Sequence, residues 1–123
     1  MAMAVKDGAE SAGGQVSMFT AIEFGASKMD EFDAVAFGCP SMGAEVLEES
    51  EFEPMFLDCE SKLEGKKIAL FGSYGWGDGQ WMRDWEERSI SAGAAMACDF
   101  VICNEAPDDE GIEECKKLGV SLV

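Results

Sequence analysis

Apolar and polar positions along this chain follow two different periods. Two runs, Asp33-Ala-Val-Ala-Phe-Gly38 and Lys67-Ile-Ala-Leu-Phe-Gly72, are apolar almost throughout, and Ala94–Ile102 is a third, broken only by Asp99. Short apolar runs without alternation suit parallel strands covered on both faces. Gln15–Thr20 is a further, short strand candidate, with Val16 and Met18 on one side. Between these runs the period is helical. Ala2, Val5, Ala9 and Ala12 share one face of a helix over Met1–Ala12 that Gly13-Gly14 ends. Phe52, Met55, Phe56, Cys59 and Leu63 mark a second helix, with Pro54 tolerated in its first turn. A third runs from an N-cap at about Asp78 to a stop at Gly93, with Trp81 and Trp85 four apart as core residues. The last follows Pro107-Asp108 and carries Ile112, Cys115, Leu118, Gly119 and Leu122 on one face. This order predicts a single α/β domain over residues 1–123, a doubly wound parallel sheet between two helical layers.

The first residue already lies inside a helix, whereas such a sheet normally opens with a strand that feeds its first helix. The pattern therefore predicts four parallel strands, with those near Val16 and Val35 either flanking a gap or paired abnormally.

Composition narrows the function. Nine Lys and Arg against 25 Asp and Glu give a formal charge of −16, which argues against nucleic acid or an anionic membrane and favours partners with basic surfaces. There is no histidine, so His-based acid–base catalysis, Ser-His-Asp triads and His-ligated metals are excluded. Apolar residues make up 47% of the chain, enough for a packed core. No apolar run approaches the roughly 20 residues that span a bilayer, and the start lacks a secretory pattern. Five cysteines without a C-x-x-C spacing read as reduced buried thiols of a cytoplasmic protein, Cys39 among them as a small buried hydrophobe.

Ligands of doubly wound sheets bind beyond the carboxyl ends of the strands. Two such ends are unusual: Gly38-Cys-Pro-Ser-Met-Gly-Ala-Glu-Val-Leu47 and Gly72-Ser-Tyr-Gly-Trp-Gly-Asp-Gly-Gln-Trp81. The second holds four glycines within eight residues around Tyr74 and Trp76. Glycines let backbone N–H groups approach a ligand, and an aromatic offers a stacking face. A dinucleotide fingerprint fits poorly, because Gln80 stands at its third glycine and Trp76 obstructs the pyrophosphate.

Gly38–Gly43, the run Glu45–Pro54 and Leu70–Gly79 together resemble the flavodoxins, in particular the small ones of anaerobic bacteria. The resemblance covers nearly the whole chain. Asn104-Glu-Ala-Pro107 leads directly into the last helix, as in the short-chain class. It implies that FMN is held with Met42 and Trp76 on opposite faces of the isoalloxazine ring. Gly43 would let its peptide with Met42 turn over and offer a carbonyl to reduced N5, stabilising the neutral semiquinone. Glu45 would bond N3, the amides of Gly75, Trp76 and Gly77 would face N1 and O2, and Ser41 and Ser73 would lie toward the ribityl chain and phosphate. Pro40, Ala44, Tyr74 and Asn104 complete the implied cofactor-binding set, with no metal and no catalytic residue.

In the flavodoxin strand order 2-1-3-4-5 the strand missing here is the first and central one, together with its phosphate-binding loop, roughly 12 to 16 residues in all. The resemblance thus implies an N-terminally truncated flavodoxin-like domain, monomeric when complete. Its implied function is low-potential single-electron shuttling between basic-surfaced redox proteins (oxidoreductases, reductases, hydrogenase-type enzymes). The alternatives are a small flavin-dependent quinone-type reductase and a truncated domain that no longer binds FMN. Residues 45–60 hold seven acids and no base, which reads either as a solvated helix face or as a docking surface that also disfavours a second negative charge on the flavin.

Overall fold

The uninterrupted apolar run after Gly65-Lys66 forms a strand that neighbours cover on both sides. In the computed structural model, which describes residues 1–39, 50–74, 79–104 and 107–123, this strand is β2 (Lys67–Tyr74). On one side it pairs in parallel with β1 (Ala34–Gly38), from Ala34 opposite Lys67 to Gly38 opposite Phe71. On the other side it pairs first with β3 (Ala95–Met96) and then with β4 (Val101–Asn104), again in parallel. Side chains alternate across the sheet, so Phe37, Ile68 and Leu70 point to one face and Ala69, Phe71 and Val101 to the other.

The first face is covered by α3 (Phe52–Cys59), the 3-10 turn Glu60–Lys62 and α4 (Gln80–Ser91). Phe52, Phe56 and Trp85 meet there edge-on or stacked at 5.3–6.4 Å between ring centroids, and Trp81 and Trp85 are almost fully buried. Arg88 fastens the two helices: its guanidinium donates to Glu53 at 2.8 Å and to Glu60 at 2.9 Å while lying 4.9 Å over the Phe56 ring. Burial works against its charge, but the hydrogen bonds to Glu60 and Glu53 outweigh it and raise the Arg88 pKa. The opposite face is covered by α1 (Ala2–Ser11) and α5 (Asp109–Ser121). These cross without room for a side chain. A Cβ on Gly8 would stand 2.0 Å from the Lys116 carbonyl oxygen, and one on Gly119 2.1 Å from that of Val5. Helices on both faces of a parallel sheet confirm the doubly wound α/β architecture.

Four expectations change. Gln15–Thr20 joins no ladder, and between it and β1 runs a cleft of about 950 Å³, the gap expected near Val16 and Val35. A strand's pairing requires a neighbour, and none lies beside this segment among the described residues. The run 94–102 divides into β3 and β4 because Ala97–Phe100 leaves the ladder around exposed Asp99. Helix α4 opens on Gly79, in the left-handed region at φ 86°, and Asp78 lies outside the described residues. The buried stripes also rotate. Ala4, Val5, Gly8 and Ala9 are buried on α1 while Ala2 and Ala12 are exposed, and on α5 Gly111 is buried where Ile112 is 36% exposed. Short connections add α2 (Ala26–Met29), whose Ala26 amide donates to Asp58 at 2.8 Å, and a 3-10 turn at Ala21–Glu23.

The helix crossing gives a direct expectation. Gly119→Ala forces α1 and α5 apart and costs about 1–3 kcal/mol of overpacking, offset by up to ~1 kcal/mol of helix propensity. Val120→Ala, on the exposed side of the same helix, stays within about 0.5 kcal/mol in urea unfolding followed by circular dichroism.

Buried thiols give a second. Burial, with Asp58 adding to it, pushes Cys59 from the ordinary 9.0 up to about 11, and burial raises Cys103 and Cys115 too. The folded chain holds these protons more tightly than the unfolded one. The contribution is therefore complete below pH 9 and, for Cys59, is lost as pH rises from 9 through 11. Urea midpoints fall across that window, and less steeply in Cys59→Ala.

Candidate functional site

Parallel pairing brings the carboxyl ends of β1, β2 and β4 to one edge of the sheet. At that edge Ser73 stands opposite Cys103 and Tyr74 opposite Asn104. Tyr74 packs half-buried against the aromatic core, Ser73 is half-buried on the other face, and Asn104 is exposed. The backbone of β1 stays in the ladder one residue further, with the Cys39 amide donating to the Phe71 carbonyl at 3.1 Å. The sequence runs 40–49, 75–78 and 105–106 therefore leave three neighbouring strand ends. Pro40, Ser41, Met42, Gly43, Ala44, Glu45, Gly75, Trp76 and Gly77 lie outside the described residues, so of the predicted site residues the structure places Ser73, Tyr74 and Asn104, and brings these three together.

Two features of this edge were not read from the sequence as part of a site. Gly72 lets β1, β2 and α4 meet: a Cβ there would stand 2.2 Å from the Cys39 carbonyl oxygen and 2.5 Å from the Trp81 ring. Trp81 is thus core, as its spacing suggested, and also the support under the end of β2. Beside Asn104 lies a small cleft of about 260 Å³ between β4 and the start of α5, bordered by Asp108, Glu110 and Glu114. Asp108 caps α5 by accepting the Gly111 amide at 2.8 Å, a signal legible as an N-cap before a helical run. Burial first, then Asp108 and Glu114, raise the pKa of Cys103 beside this cleft.

The acidic run is partly internal. Of the seven acids in residues 45–60, Glu53 and Glu60 bind Arg88 and Asp58 accepts the Ala26 amide.

The Flavodoxin family model matches residues 1–119. The chain belongs to the flavodoxin family. It is 41% identical over 122 residues to a flavodoxin of Megasphaera elsdenii, covering 97% of this chain and 85% of that one. It is also 41% identical over 122 residues to a flavodoxin of Clostridium beijerinckii, covering 99% of this chain and 88% of that one. The solution structure of two-electron reduced Megasphaera elsdenii flavodoxin superposes with a TM-score of 0.90 at 40% identity, covering 98% of this chain and 86% of that one. An archaeal flavodoxin superposes at 0.83 with 25% identity, covering 98% of this chain and 84% of that one. Flavodoxins are FMN-binding electron-transfer proteins.

The described edge fits the uncharged end of FMN. Ser73 and Asn104 supply neutral hydrogen-bonding groups and Tyr74 a half-buried aromatic, whereas Asp108 and Glu114 would repel a phosphate from the cleft beside Asn104. As a flavodoxin edge, it depends on Gly72. Gly72→Ala drives a Cβ into the Cys39 carbonyl and the Trp81 ring, costing about 1–3 kcal/mol in urea unfolding and altering the near-ultraviolet circular dichroism of the tryptophans.

Proposed function

We propose that this flavodoxin-family chain is a low-potential FMN-dependent carrier that passes single electrons between redox enzymes. The observation that supports the proposal is that parallel pairing sets the carboxyl ends of β1, β2 and β4 side by side, with Ser73, Tyr74 and Asn104 at that edge. In this reading Met42 and Trp76 cover the two faces of the isoalloxazine ring, and Gly43 lets the adjoining peptide reorient. Glu45 accepts from the ring edge, and the amides of Gly75, Trp76 and Gly77 donate to its opposite side. Ser41 and Ser73 hydrogen-bond the ribityl chain, and Pro40, Ala44, Tyr74 and Asn104 border the ring. When bound, FMN supplies the one-electron chemistry; the chain's own residues hold the ring, limit its contact with water and set its potential.

The partners in this proposal are redox proteins with basic docking faces, met by a monomer in the cytoplasm. The net charge of −16 supports this through long-range steering. Because Glu53 and Glu60 bind Arg88, the run 45–60 offers less docking charge than its seven acids suggest. The absence of histidine suits a carrier that needs no general acid or base.

An FMN titration followed by flavin fluorescence tests the proposal. The expected outcome is saturable quenching, reduction of the bound flavin in two one-electron stages, and binding weakened about tenfold or more by Trp76→Ala. A stacked aromatic contributes ~0.5–1.5 kcal/mol beyond its buried area. Quenching that Trp76→Ala leaves unchanged would remove the ring from this site.

A further inference from the structure

The two sequence runs that the proposal above gives to the flavin ring are strung between the same two elements. Residues 75–78 follow the end of β2 at Tyr74 and lead into α4 through its N-cap, Gly79. Residues 40–49 follow Cys39, whose amide donates to the Phe71 carbonyl of β2 at 3.1 Å, and lead to α3, which starts at Phe52. The start of α3 is in turn fastened to α4. The Phe52 ring meets Trp85 edge-on at 5.3 Å, and Glu53 accepts from Arg88 Nη1 at 2.8 Å. Run 75–78 is thus tied to β2 and α4 by the chain itself, and run 40–49 by one backbone hydrogen bond and two side-chain contacts.

Arg88 is shared between two carboxylates in different places. Glu53, Phe56 and Glu60 follow at helical spacing, and the guanidinium lies 4.9 Å over the Phe56 ring while binding both acids. Glu60 accepts from Nε and Nη2 in the 3-10 turn beyond the far end of α3. Glu53 lies at the end that follows run 40–49. Its Oε2 is buried and has no hydrogen-bond partner among the described residues, so the carboxylate is held through the bond from Oε1 to Arg88. Without that cation a buried, unpaired charge would turn out toward solvent and draw the first turn of α3 with it.

We propose that Arg88, acting through Glu53, is a positioning residue for FMN that fixes where run 40–49 ends relative to run 75–78. This rests on the reading above, in which the two runs take opposite faces of the isoalloxazine ring. A stack between two side chains depends on their separation, and that separation depends on how firmly the supporting elements are joined.

Three variants test it: Arg88→Met, which keeps apolar cover on Phe56, Glu53→Ala and Glu60→Ala. Arg88→Met and Glu53→Ala should each raise the Kd for FMN about tenfold. At saturating FMN both should also alter the visible circular dichroism of the bound flavin. Glu60→Ala should lower the urea midpoint as Glu53→Ala does, yet leave the Kd within about twofold and the flavin spectrum unchanged. In the FMN-free chain, amide hydrogen exchange at residues 53–56 should quicken in the first two variants only. Glu53→Ala leaves Arg88 on Glu60, so the test stands even where Arg88→Met does not fold. Equal weakening of FMN binding by Glu53→Ala and Glu60→Ala reduces the contact to general stability and overturns the proposal. So does wild-type affinity in Glu53→Ala. Failure of the wild-type chain to quench FMN fluorescence is a separate result, which overturns the electron-carrier reading and this proposal with it.

Discussion

Strand β2 hydrogen-bonds to neighbours along both edges, and the positions of the other parts follow from it. Its inner residues are buried on both faces, so every other side chain must find an apolar wall on alternating sides. That requirement draws α3 and α4 to one face and α1 and α5 to the other. The same register sets Tyr74 opposite Asn104 and carries the end of β1 past Gly38 as far as Cys39. A shift of one residue in β2 would exchange its two faces and separate the three strand ends that make the candidate site.

What the sequence made legible follows from which interactions are local or repeated. The runs 33–38 and 67–72 read correctly because two-sided burial removes alternation, a signal contained in each run by itself. Gln15–Thr20 has the alternation of a strand, but pairing is a property of two segments, and no pattern within six residues reveals the neighbour. Ile112 has helical spacing and is nevertheless exposed, because at this end of α5 it is Gly111 that packs on Cys103, where a Cβ would stand 2.8 Å from the sulfur. Periodicity locates a stripe to within one residue, and the closest contacts decide between neighbours. The candidate site was proposed from the paired motifs and their resemblance to a family. Three of its residues, Ser73, Tyr74 and Asn104, are placed by strand geometry.

The charge distribution is divided between internal and external work. A chain carrying −16 repels itself, yet Arg88 gathers Glu53 and Glu60 on the aromatic core between α3 and α4. Both carboxylates are partly exposed, so solvent screening keeps the stabilisation of this network modest. Its larger effect is geometric. Arg88 lies across Phe56, fixes α3 against α4, and so holds the helix that follows residues 40–49 in a set place relative to the end of β2.

The cleft beside β1 and the candidate site share one element. Phe37 contributes to the wall of the cleft and, within the core, packs edge-on against Phe56 at 5.1 Å. Gly38 lies against Phe71, where a Cβ would stand 2.2 Å from the ring, immediately before Cys39 and the run of residues that the flavodoxin motif assigns to the ring. A strand held by one ladder is less constrained than one held by two, because half of its backbone groups take no part in fixing its position. The position of β1, and with it the point from which residues 40–49 depart, is therefore set by its ladder with β2 and by the packing of Phe37 on Phe56.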